Sequence, residues 1–215
     1  MRAVLWDLDG TLVDTEPYWI DTEFALAAEH GATWSREHAL NLVGNDLIQS
    51  GHYIRDVMNL EMSAEEVVDY LNDGVVAAVK AEVPWRPGAL DLLAALAEAE
   101  VPCGLVTMSY QRFVAPILGR LAADTFRVVV TGDQVEHGKP HPEPYLTAAA
   151  ALGFAPRDCV AIEDSNTGAA SAVGAGCSVL VVENHVRVDA GPGRTFVDSL
   201  ADVDVAALRG LVAAQ

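Results

Sequence analysis

The sequence is poor in basic residues: it has 13 Lys and Arg against 31 Asp and Glu among 215 residues, with a formal net charge of −18. It contains no run of Lys or Arg that could neutralise the phosphates of a nucleic acid or of an anionic membrane. The composition therefore argues against both as partners. A small phosphorylated molecule is still compatible with it, provided that a cation and a few well-placed donors supply local positive charge.

Cysteine is also scarce, and long apolar runs are missing. Cys103, Cys159 and Cys177 are scattered and odd in number, which is not typical of a disulfide framework or a zinc site, so we expect buried thiols. Asp7 and Asp9 interrupt the apolar start of the chain before it reaches the length of a signal sequence, and no later segment approaches a membrane span. We therefore expect a cytoplasmic protein, and the high negative charge favours a monomer.

Short apolar segments alternate with helix-like segments along most of the chain. Five segments have the length and β-branched content of buried parallel strands, at 3–6, 103–106, 126–130, 159–162 and 178–182. Segments rich in Ala and Leu predict covering helices at 88–100, 112–121, 144–152 and 166–173. This alternation predicts an α/β fold with a doubly wound, Rossmann-like parallel sheet. The Gly-Pro-Gly segment at 189–194 is interpreted as a loop before a C-terminal helix near 203–212.

The interval between the first two strands is long and has helical character throughout. Its apolar residues recur at helical spacing in two groups: Ile20, Phe24 and Ala27, and Val68, Leu71, Val75 and Val79. A crossover between parallel strands needs one helix, so several helices indicate an inserted unit. We predict an α/β core of residues 1–13 and 86–215 and a small α-helical cap of residues 14–85. Linkers near 13–15 and 83–88 are expected to let the cap move as a lid.

Polar residues come at the ends of the predicted strands, where ligands bind in open α/β sheets. Asp7 and Asp9 follow the first strand, two positions apart and therefore on the same side of an extended chain. Two neighbouring acids at this place are costly unless they are paired or bind a metal. A divalent cation would offset that cost, and Gly10 lets the backbone turn closely beside it.

Three more strand ends contribute to the same edge. Thr107 and Ser109 offer hydroxyl groups after the second strand, and Lys139 lies between a glycine and a proline after the third. A lysine ammonium can serve a phosphate oxygen and a carboxylate at once. Glu163 and Asp164 follow the fourth strand and supply the hard oxygen ligands that magnesium prefers. The strand ends thus bring carboxylates, hydroxyls and one amine together.

These residues resemble the four motifs of the haloacid dehalogenase superfamily in order, spacing and strand context. The motifs are Asp7-Leu8-Asp9-Gly10-Thr11, Thr107, Lys139-Pro140 and Glu163-Asp164-Ser165. The resemblance covers nearly the whole chain, and the predicted cap is similar to that of the subfamily with sugar-phosphate phosphatases and β-phosphoglucomutase. The resemblance implies a phosphatase that uses Mg²⁺ to hydrolyse a small phosphorylated metabolite, with sugar phosphates as the leading class.

The resemblance also implies a role for each matching residue. Asp7 would be the nucleophile that forms an aspartyl-phosphate, and Asp9 would protonate the leaving alcohol and later activate water. Magnesium would be held by Asp7, the backbone carbonyl of Asp9, and Asp164, with Glu163 bound directly or through water.

The resemblance also implies which residues bind the phosphate. Thr107 and Lys139 would hold phosphoryl oxygens, and Gly10 and Ser109 are further candidates for binding the phosphate. Relatives contact the substrate with the first cap helix and with a second cap region, which makes Glu16, Asn45, His52 and the 44–51 region candidates here.

Two alternatives stay open. A β-phosphoglucomutase-like mutase would return the phosphate to a sugar, but such enzymes usually have a histidine at the position of Trp19. The Thr15-Glu16-Pro17 segment instead resembles the sugar-phosphate phosphatases. A non-catalytic regulatory binding module is disfavoured because every catalytic position carries a competent residue. The tryptophans at 19, 34 and 85 are expected to serve packing.

Overall fold

The computed structural model describes residues 1–43 and 45–213. Within them, a six-stranded parallel sheet has the order β3-β2-β1-β4-β5-β6. The strands are β1 Ala3–Trp6, β2 Cys103–Val106, β3 Val128–Val130, β4 Cys159–Glu163, β5 Ser178–Val182 and β6 Arg194–Val197. The strand order reverses direction on either side of β1, so the prediction of a doubly wound α/β sheet is confirmed.

Burial explains which strands could be predicted. β1, β2, β4 and β5 are buried at every position because helices cover both faces of the sheet, and this selects uninterrupted apolar segments. The edge strand β6 is different, since Thr195 and Phe196 are exposed and Arg194 begins it. The sequence interpretation ended the loop at 194 and gave no strand after it. That omission was wrong, because an edge strand needs no apolar run.

Helices connect the strands and form the insertion between β1 and β2. The insertion contains α1 Glu16–Glu29, α2 Arg36–Leu40, α3 Leu47–Met58 and α4 Ala64–Ala81. The remaining helices are α5 Ala89–Glu98, α6 Gln111–Leu118, α7 Glu143–Leu152, α8 Asn166–Ala175 and α9 Val205–Ala213. Short 3-10 turns occupy Gly132–Gln134, Pro156–Asp158 and Leu200–Asp202.

The buried faces of the insertion helices agree with the predicted pattern in α4 but not fully in α1. The apolar residues predicted on α4 are all buried. On α1, Ile20 and Ala27 are buried, whereas Phe24 is 40% exposed. The correction has a physical reason: Glu16 and Glu23 take part of the buried face of α1, which turns Phe24 toward solvent.

The two chain segments that join the insertion to the core lie side by side. The Asp14 N–H donates to the Pro84 carbonyl at 2.7 Å, and the Arg86 N–H donates to the Leu12 carbonyl at 3.0 Å. Val13 and Trp85 form an antiparallel bridge between these bonds. The paired segments coincide with the predicted borders at 13/14 and 85/86, while the division into two domains stays a prediction.

The insertion packs over the carboxyl ends of the strands. The rings of Trp19 in α1 and Phe113 in α6 meet edge to face with centroids 5.5 Å apart. Arg112 in α6 forms ion pairs with Asp69 and Asp73 in α4. These contacts place α1 and α4 above the strand ends that carry the predicted site.

The cysteines are buried and unpaired, as expected from the sequence. Burial raises the pKa of Cys103 and Cys159 to about 11 and of Cys177 to about 12, so these thiols stay protonated. In the part of the chain that the structure describes, no helix combines the length and apolar character needed to cross a membrane.

Candidate active site

The predicted residues meet in one cavity between the sheet edge and the insertion. The core contributes Asp7, Asp9, Thr107, Ser109, Lys139 and Asp164, and the insertion contributes Glu16 and Asn45. The cavity lies over β1 and β4, where the strand order reverses, and the Asp7 N–H donates to the Ile162 carbonyl of β4 at 3.0 Å. This is the expected place for a ligand in an open α/β sheet.

Lys139 lies at the bottom of the cavity and is almost fully buried. Its Nζ donates to Asp7 Oδ1 at 2.7 Å, to Glu163 Oε1 at 2.6 Å and to the Val106 carbonyl at 2.9 Å. Although burial alone would lower it, the carboxylates of Asp7 and Glu163 raise the pKa of Lys139. Lys139 is therefore a fixed positive charge, and its three protons all have acceptors.

Three acids form a tight group beside Lys139. Carboxylate oxygens of Asp7, Glu163 and Asp164 lie within 4.8 Å of one another, and all three residues are buried. Burial, followed by the charge of Asp7, raises the pKa of Asp164 well above its usual value. Burial likewise raises the pKa of Glu163 to about 7, against the opposing effect of Lys139. One lysine leaves this group with excess negative charge, which a bound cation would stabilise.

Asp7 and Gly10 give the acidic group its shape. Asp7 Oδ2 is buried and has no hydrogen-bond partner among the described residues, so one carboxylate oxygen is left for a ligand. Gly10 has a φ of +84°, and a Cβ at this position would lie 1.9 Å from Asp164 Oδ2. Only glycine permits both the turn and the close approach of the Asp164 carboxylate. The residues present therefore fit a hard divalent cation.

Glu163 stands behind the cavity rather than in its lining. Tyr145 donates its hydroxyl to Glu163 Oε1, the oxygen that Lys139 also contacts. Ser165 caps α8 by accepting the Gly168 N–H at 3.0 Å. Glu163 thus orients Lys139 from below while Asp164 faces the cavity.

Asp9 accepts hydrogen bonds on both carboxylate oxygens. Thr15 Oγ1 donates to Oδ1 at 2.5 Å, and Trp19 Nε1 donates to the same oxygen at 3.2 Å. Ser109 Oγ donates to Oδ2 at 2.6 Å, with Thr107 Oγ1 at 3.4 Å. Burial raises the pKa of Asp9 despite these donors, so the proton is held more firmly than on an exposed aspartate.

The insertion supplies the upper wall of the cavity. Glu16 and Asn45 line it, as predicted, whereas His52 is exposed and is not among the lining residues. Gly44, the first residue of the predicted 44–51 region, lies outside the described residues. Glu23, which the sequence interpretation did not single out, also lines the wall. Burial raises the pKa of Glu16 to about 8 and that of Glu23 to about 7.

Comparison with known proteins decides the family. Residues 4–182 match the family described as haloacid dehalogenase-like hydrolase. The chain belongs to this family. The predicted membership is therefore confirmed, and the matched region contains all the core residues of the cavity.

Several relatives of this hydrolase are phosphatases. Hexitol phosphatase A of Escherichia coli (strain K12) is 34% identical over 193 residues, covering 84% of this chain and 82% of that protein. Phosphoglycolate phosphatase of the same strain is 32% identical over 206 residues, covering 82% and 79%. The crystal structure of CbbY from Rhodobacter sphaeroides in complex with phosphate has a TM-score of 0.84 at 28% identity, covering 97% of this chain and 99% of that one. The predicted activity, a phosphatase of small phosphorylated metabolites, is confirmed at this level.

Sequence reasoning missed four residues around the hydrolase cavity. Trp19 was assigned to packing alone, but its indole also donates to Asp9. Thr15 contacts Asp9, Tyr145 contacts Glu163, and Glu23 lines the upper wall. A signal existed for the two residues on α1, because Trp19 and Glu23 follow Glu16 at spacings of three and seven and so share its helical face. Tyr145 carried no such signal.

Proposed function

We propose that this chain is a Mg²⁺-dependent phosphatase that hydrolyses a sugar or polyol monophosphate through an aspartyl-phosphate on Asp7. The observation that carries the proposal is the state of the Asp7 carboxylate. Lys139 holds its Oδ1, and its buried Oδ2 has no hydrogen-bond partner among the described residues. One oxygen of this carboxylate lies within 4.8 Å of carboxylate oxygens of Asp164 and Glu163. A carboxylate oriented in this way, next to further acids, suits a nucleophile that shares a cation with its neighbours.

The proposed magnesium ligands are Asp7, the backbone carbonyl of Asp9, and Asp164, with Glu163 contacting the ion directly or through water. The bound ion would supply positive charge to the phosphoryl oxygens and to the acidic group. The chain itself positions the ligands, since Gly10 allows Asp164 to approach and Tyr145 and Lys139 orient Glu163.

The proposed first step is attack of an Asp7 oxygen on phosphorus. A bond forms between that oxygen and phosphorus, the bond from phosphorus to the substrate oxygen breaks, and Asp9 gives its proton to the leaving alcohol. The raised pKa of Asp9 supports this role. The hydroxyls of Thr15 and Ser109 can rotate to accept from Asp9 when it carries the proton and to donate when it does not.

The proposed second step is hydrolysis of the aspartyl-phosphate. Asp9 takes a proton from a water molecule, whose oxygen attacks phosphorus and releases inorganic phosphate, so that the Asp7 carboxylate is restored. Thr107 and Ser109 are the proposed contacts of the phosphoryl oxygens, which is supported by the position of both hydroxyls beside Asp9. Lys139 acts chiefly through its charge, because all three of its protons already have acceptors.

Trp19 favours hydrolysis over the mutase alternative. Its indole N–H donates to Asp9 Oδ1 at 3.2 Å, and an indole can donate but cannot accept a proton. It therefore holds Asp9 without relaying protons to a second sugar hydroxyl. We propose further that the insertion is a cap that moves on the paired linkers and that the enzyme is a monomer.

The test is phosphate release from an aryl phosphate, with and without Mg²⁺, by the wild type and by Asp7→Asn. We expect turnover that needs both Mg²⁺ and Asp7. Rapid quenching followed by peptide mass spectrometry should find phosphate on residue 7. Equal release by Asp7→Asn would refute the nucleophile, and absence of any turnover would favour a binding module. Incubation with β-glucose 1-phosphate and its bisphosphate activator should yield free phosphate; accumulation of glucose 6-phosphate would support the mutase.

A further inference from the structure

Two glutamates of α1 form an acidic wall opposite the catalytic residues. Glu16 is 9% exposed and Glu23 is 5% exposed, and both line the cavity. They are seven residues apart, so they lie on one face of α1 and are separated by about 10 Å along the helix axis. Trp19, which contacts Asp9, lies between them on the same face. The wall therefore extends from the phosphate end of the cavity into the insertion.

The carboxylates of this acidic wall have few donors. The side chain of Glu16 has no hydrogen bond or ion pair with any described residue, although the residue is only 9% exposed. Glu23 Oε2 accepts from Trp34 Nε1 at 2.9 Å, and its Oε1 has no partner in the described ranges. A buried carboxyl group without a donor is costly unless something in the cavity supplies one. Trp34 holds Glu23 in position while leaving one oxygen free.

The described residues that line the cavity provide no free cation to balance the acidic wall. Among the described lining residues, Lys139 is the only basic one, and its protons are taken by Asp7, Glu163 and a backbone carbonyl. Burial raises the pKa of Glu16, and Arg36 opposes this rise only weakly, because its side chain is exposed and does not line the cavity. Above pH 8, where both glutamates are ionised, a substrate with a second anionic group would place that group against carboxylates with no positive partner, which is strongly unfavourable.

We propose that Glu23 is a specificity-determining residue, which with Glu16 accepts hydroxyl donors from an uncharged polyol body and rejects monophosphates that carry a second anionic group. In either protonation state a carboxyl group can accept a hydroxyl hydrogen bond. Asn45 and Ser50 add polar groups to the lining of the cavity, and Leu42 and Leu71 add apolar surface. This inference rests on the proposed phosphatase function.

The experiment uses two substrates that differ at one end. Glucitol 6-phosphate and 6-phosphogluconate have the same six-carbon chain and phosphate, but the first ends in a hydroxymethyl group and the second in a carboxylate. Measured above pH 8, where both glutamates are ionised, the value of kcat/KM for the neutral substrate should exceed that for the acidic one by at least about tenfold. Equal values for the wild type would overturn the inference while leaving the phosphatase proposal intact.

Variants at position 23 assign the preference to this residue. Glu23→Lys should lower the ratio between the two substrates by about tenfold or more, because a cation then faces the carboxylate. Glu23→Gln keeps the shape and should lower the ratio less. Trp34→Phe is the matched control, because it removes the hydrogen bond that positions Glu23 without changing the charge of Glu23. It should lower kcat/KM for glucitol 6-phosphate, while kcat/KM for 6-phosphogluconate stays low. An unchanged ratio in both Glu23 variants would assign the selectivity elsewhere.

A binding measurement separates this inference from the chemistry. Calorimetric titration of Asp7→Asn with each compound in the presence of Mg²⁺ reports the preference without turnover. Tighter binding of glucitol 6-phosphate would support selection by the acidic wall even if no hydrolysis were detected. Equal binding of the two compounds would refute the wall even if hydrolysis were established. Thermal melts of each variant identify any that does not fold, and Glu23→Gln then replaces Glu23→Lys as the deciding variant.

Discussion

The ammonium of Lys139 lies 2.6 Å from Glu163 Oε1, and this buried ion pair supports the floor of the cavity. Lys139 joins the Asp7 and Glu163 carboxylates to the end of β2 through the Val106 carbonyl. Because the pair is out of contact with water, removing the lysine leaves two buried acids without a counter-charge. The contribution of Lys139 to stability and its contribution to catalysis should therefore appear together.

Lys139→Met should abolish most activity and lower the free energy of unfolding by about 3–5 kcal/mol, as expected when one partner of a buried ion pair is removed. Urea denaturation in metal-free buffer measures the stability, and phosphate release measures the activity. Lys80→Met is the control, since Lys80 is exposed at the end of α4. A Lys139→Met protein as stable as the wild type would contradict the structural role.

Gly10→Ala tests the close approach of Asp164, and Gly153→Ala is its matched control. Both glycines have positive φ, +84° and +79°, but a Cβ at Gly153 meets nothing within 4 Å. Gly153→Ala should lower the free energy of unfolding by about 1–2 kcal/mol, because alanine disfavours the left-handed backbone conformation. Gly10→Ala should cost more and should also weaken activation by Mg²⁺, because Asp164 must move. Mg²⁺ titrations of activity and urea denaturation compare the two, and equal effects would remove the steric argument.

Glu23 predicts a pH dependence of stability. Its pKa is 4.5 in the unfolded chain and about 7 in the folded one because burial disfavours the charge. Between these values the folded protein holds more protons, so the free energy of unfolding contributed by Glu23 falls as pH rises from 4.5 through 7. Glu23→Gln should therefore stabilise the protein relative to wild type more at pH 8 than at pH 5. The stabilisation at the two pH values should differ by on the order of 3 kcal/mol.

Urea denaturation of both proteins at the two pH values checks this effect. Glu98→Gln is the control because Glu98 is exposed on α5. A stability difference between wild type and Glu23→Gln that does not change with pH would show that Glu23 keeps its charge in the folded state without penalty.

A polar network joins both linkers to the loop after β5. Asp14 Oδ1 contacts His185 Nε2 at 2.7 Å and accepts from Asn184 Nδ2 at 2.8 Å. Arg86, in the second linker, donates to Asn184 Oδ1 and to the Glu183 carbonyl at 3.1 Å. Although burial acts in the opposite direction, the Asn184 and His185 contacts lower the pKa of Asp14.

Asn184→Ala should loosen this network and increase amide hydrogen exchange in residues 12–16 and 84–88, because both linkers lose a common partner. Asp21→Asn, an exposed change on α1, should leave exchange there unaltered. Hydrogen exchange followed by mass spectrometry makes the comparison. Unchanged protection of both linkers in Asn184→Ala would show that their backbone pairing alone determines their stability.

The core of the site could be predicted because it lies at strand ends. Asp7, Thr107 and Asp164 each come directly after an apolar strand, and Lys139 lies in the loop that follows β3. Parallel strands place such positions at one edge of the sheet. The edge strand β6 and the exposed face of Phe24 could not be predicted in this way. The burial of β6 and of Phe24 depends on which elements of the tertiary structure cover them, and the local sequence pattern does not predict this.

The sequence by itself determined the fold class, the family and the acids, hydroxyls and lysine of the cavity floor. The apolar segments predict the strands, and the polar residues that follow them match the family motifs in order and spacing. Only the tertiary structure decided what each group contacts. Trp19 donates to Asp9, Tyr145 shares Glu163 with Lys139, and Glu23 faces the cavity with a free oxygen. These relationships join residues from separate elements, so their geometry depends on how the insertion packs over the sheet.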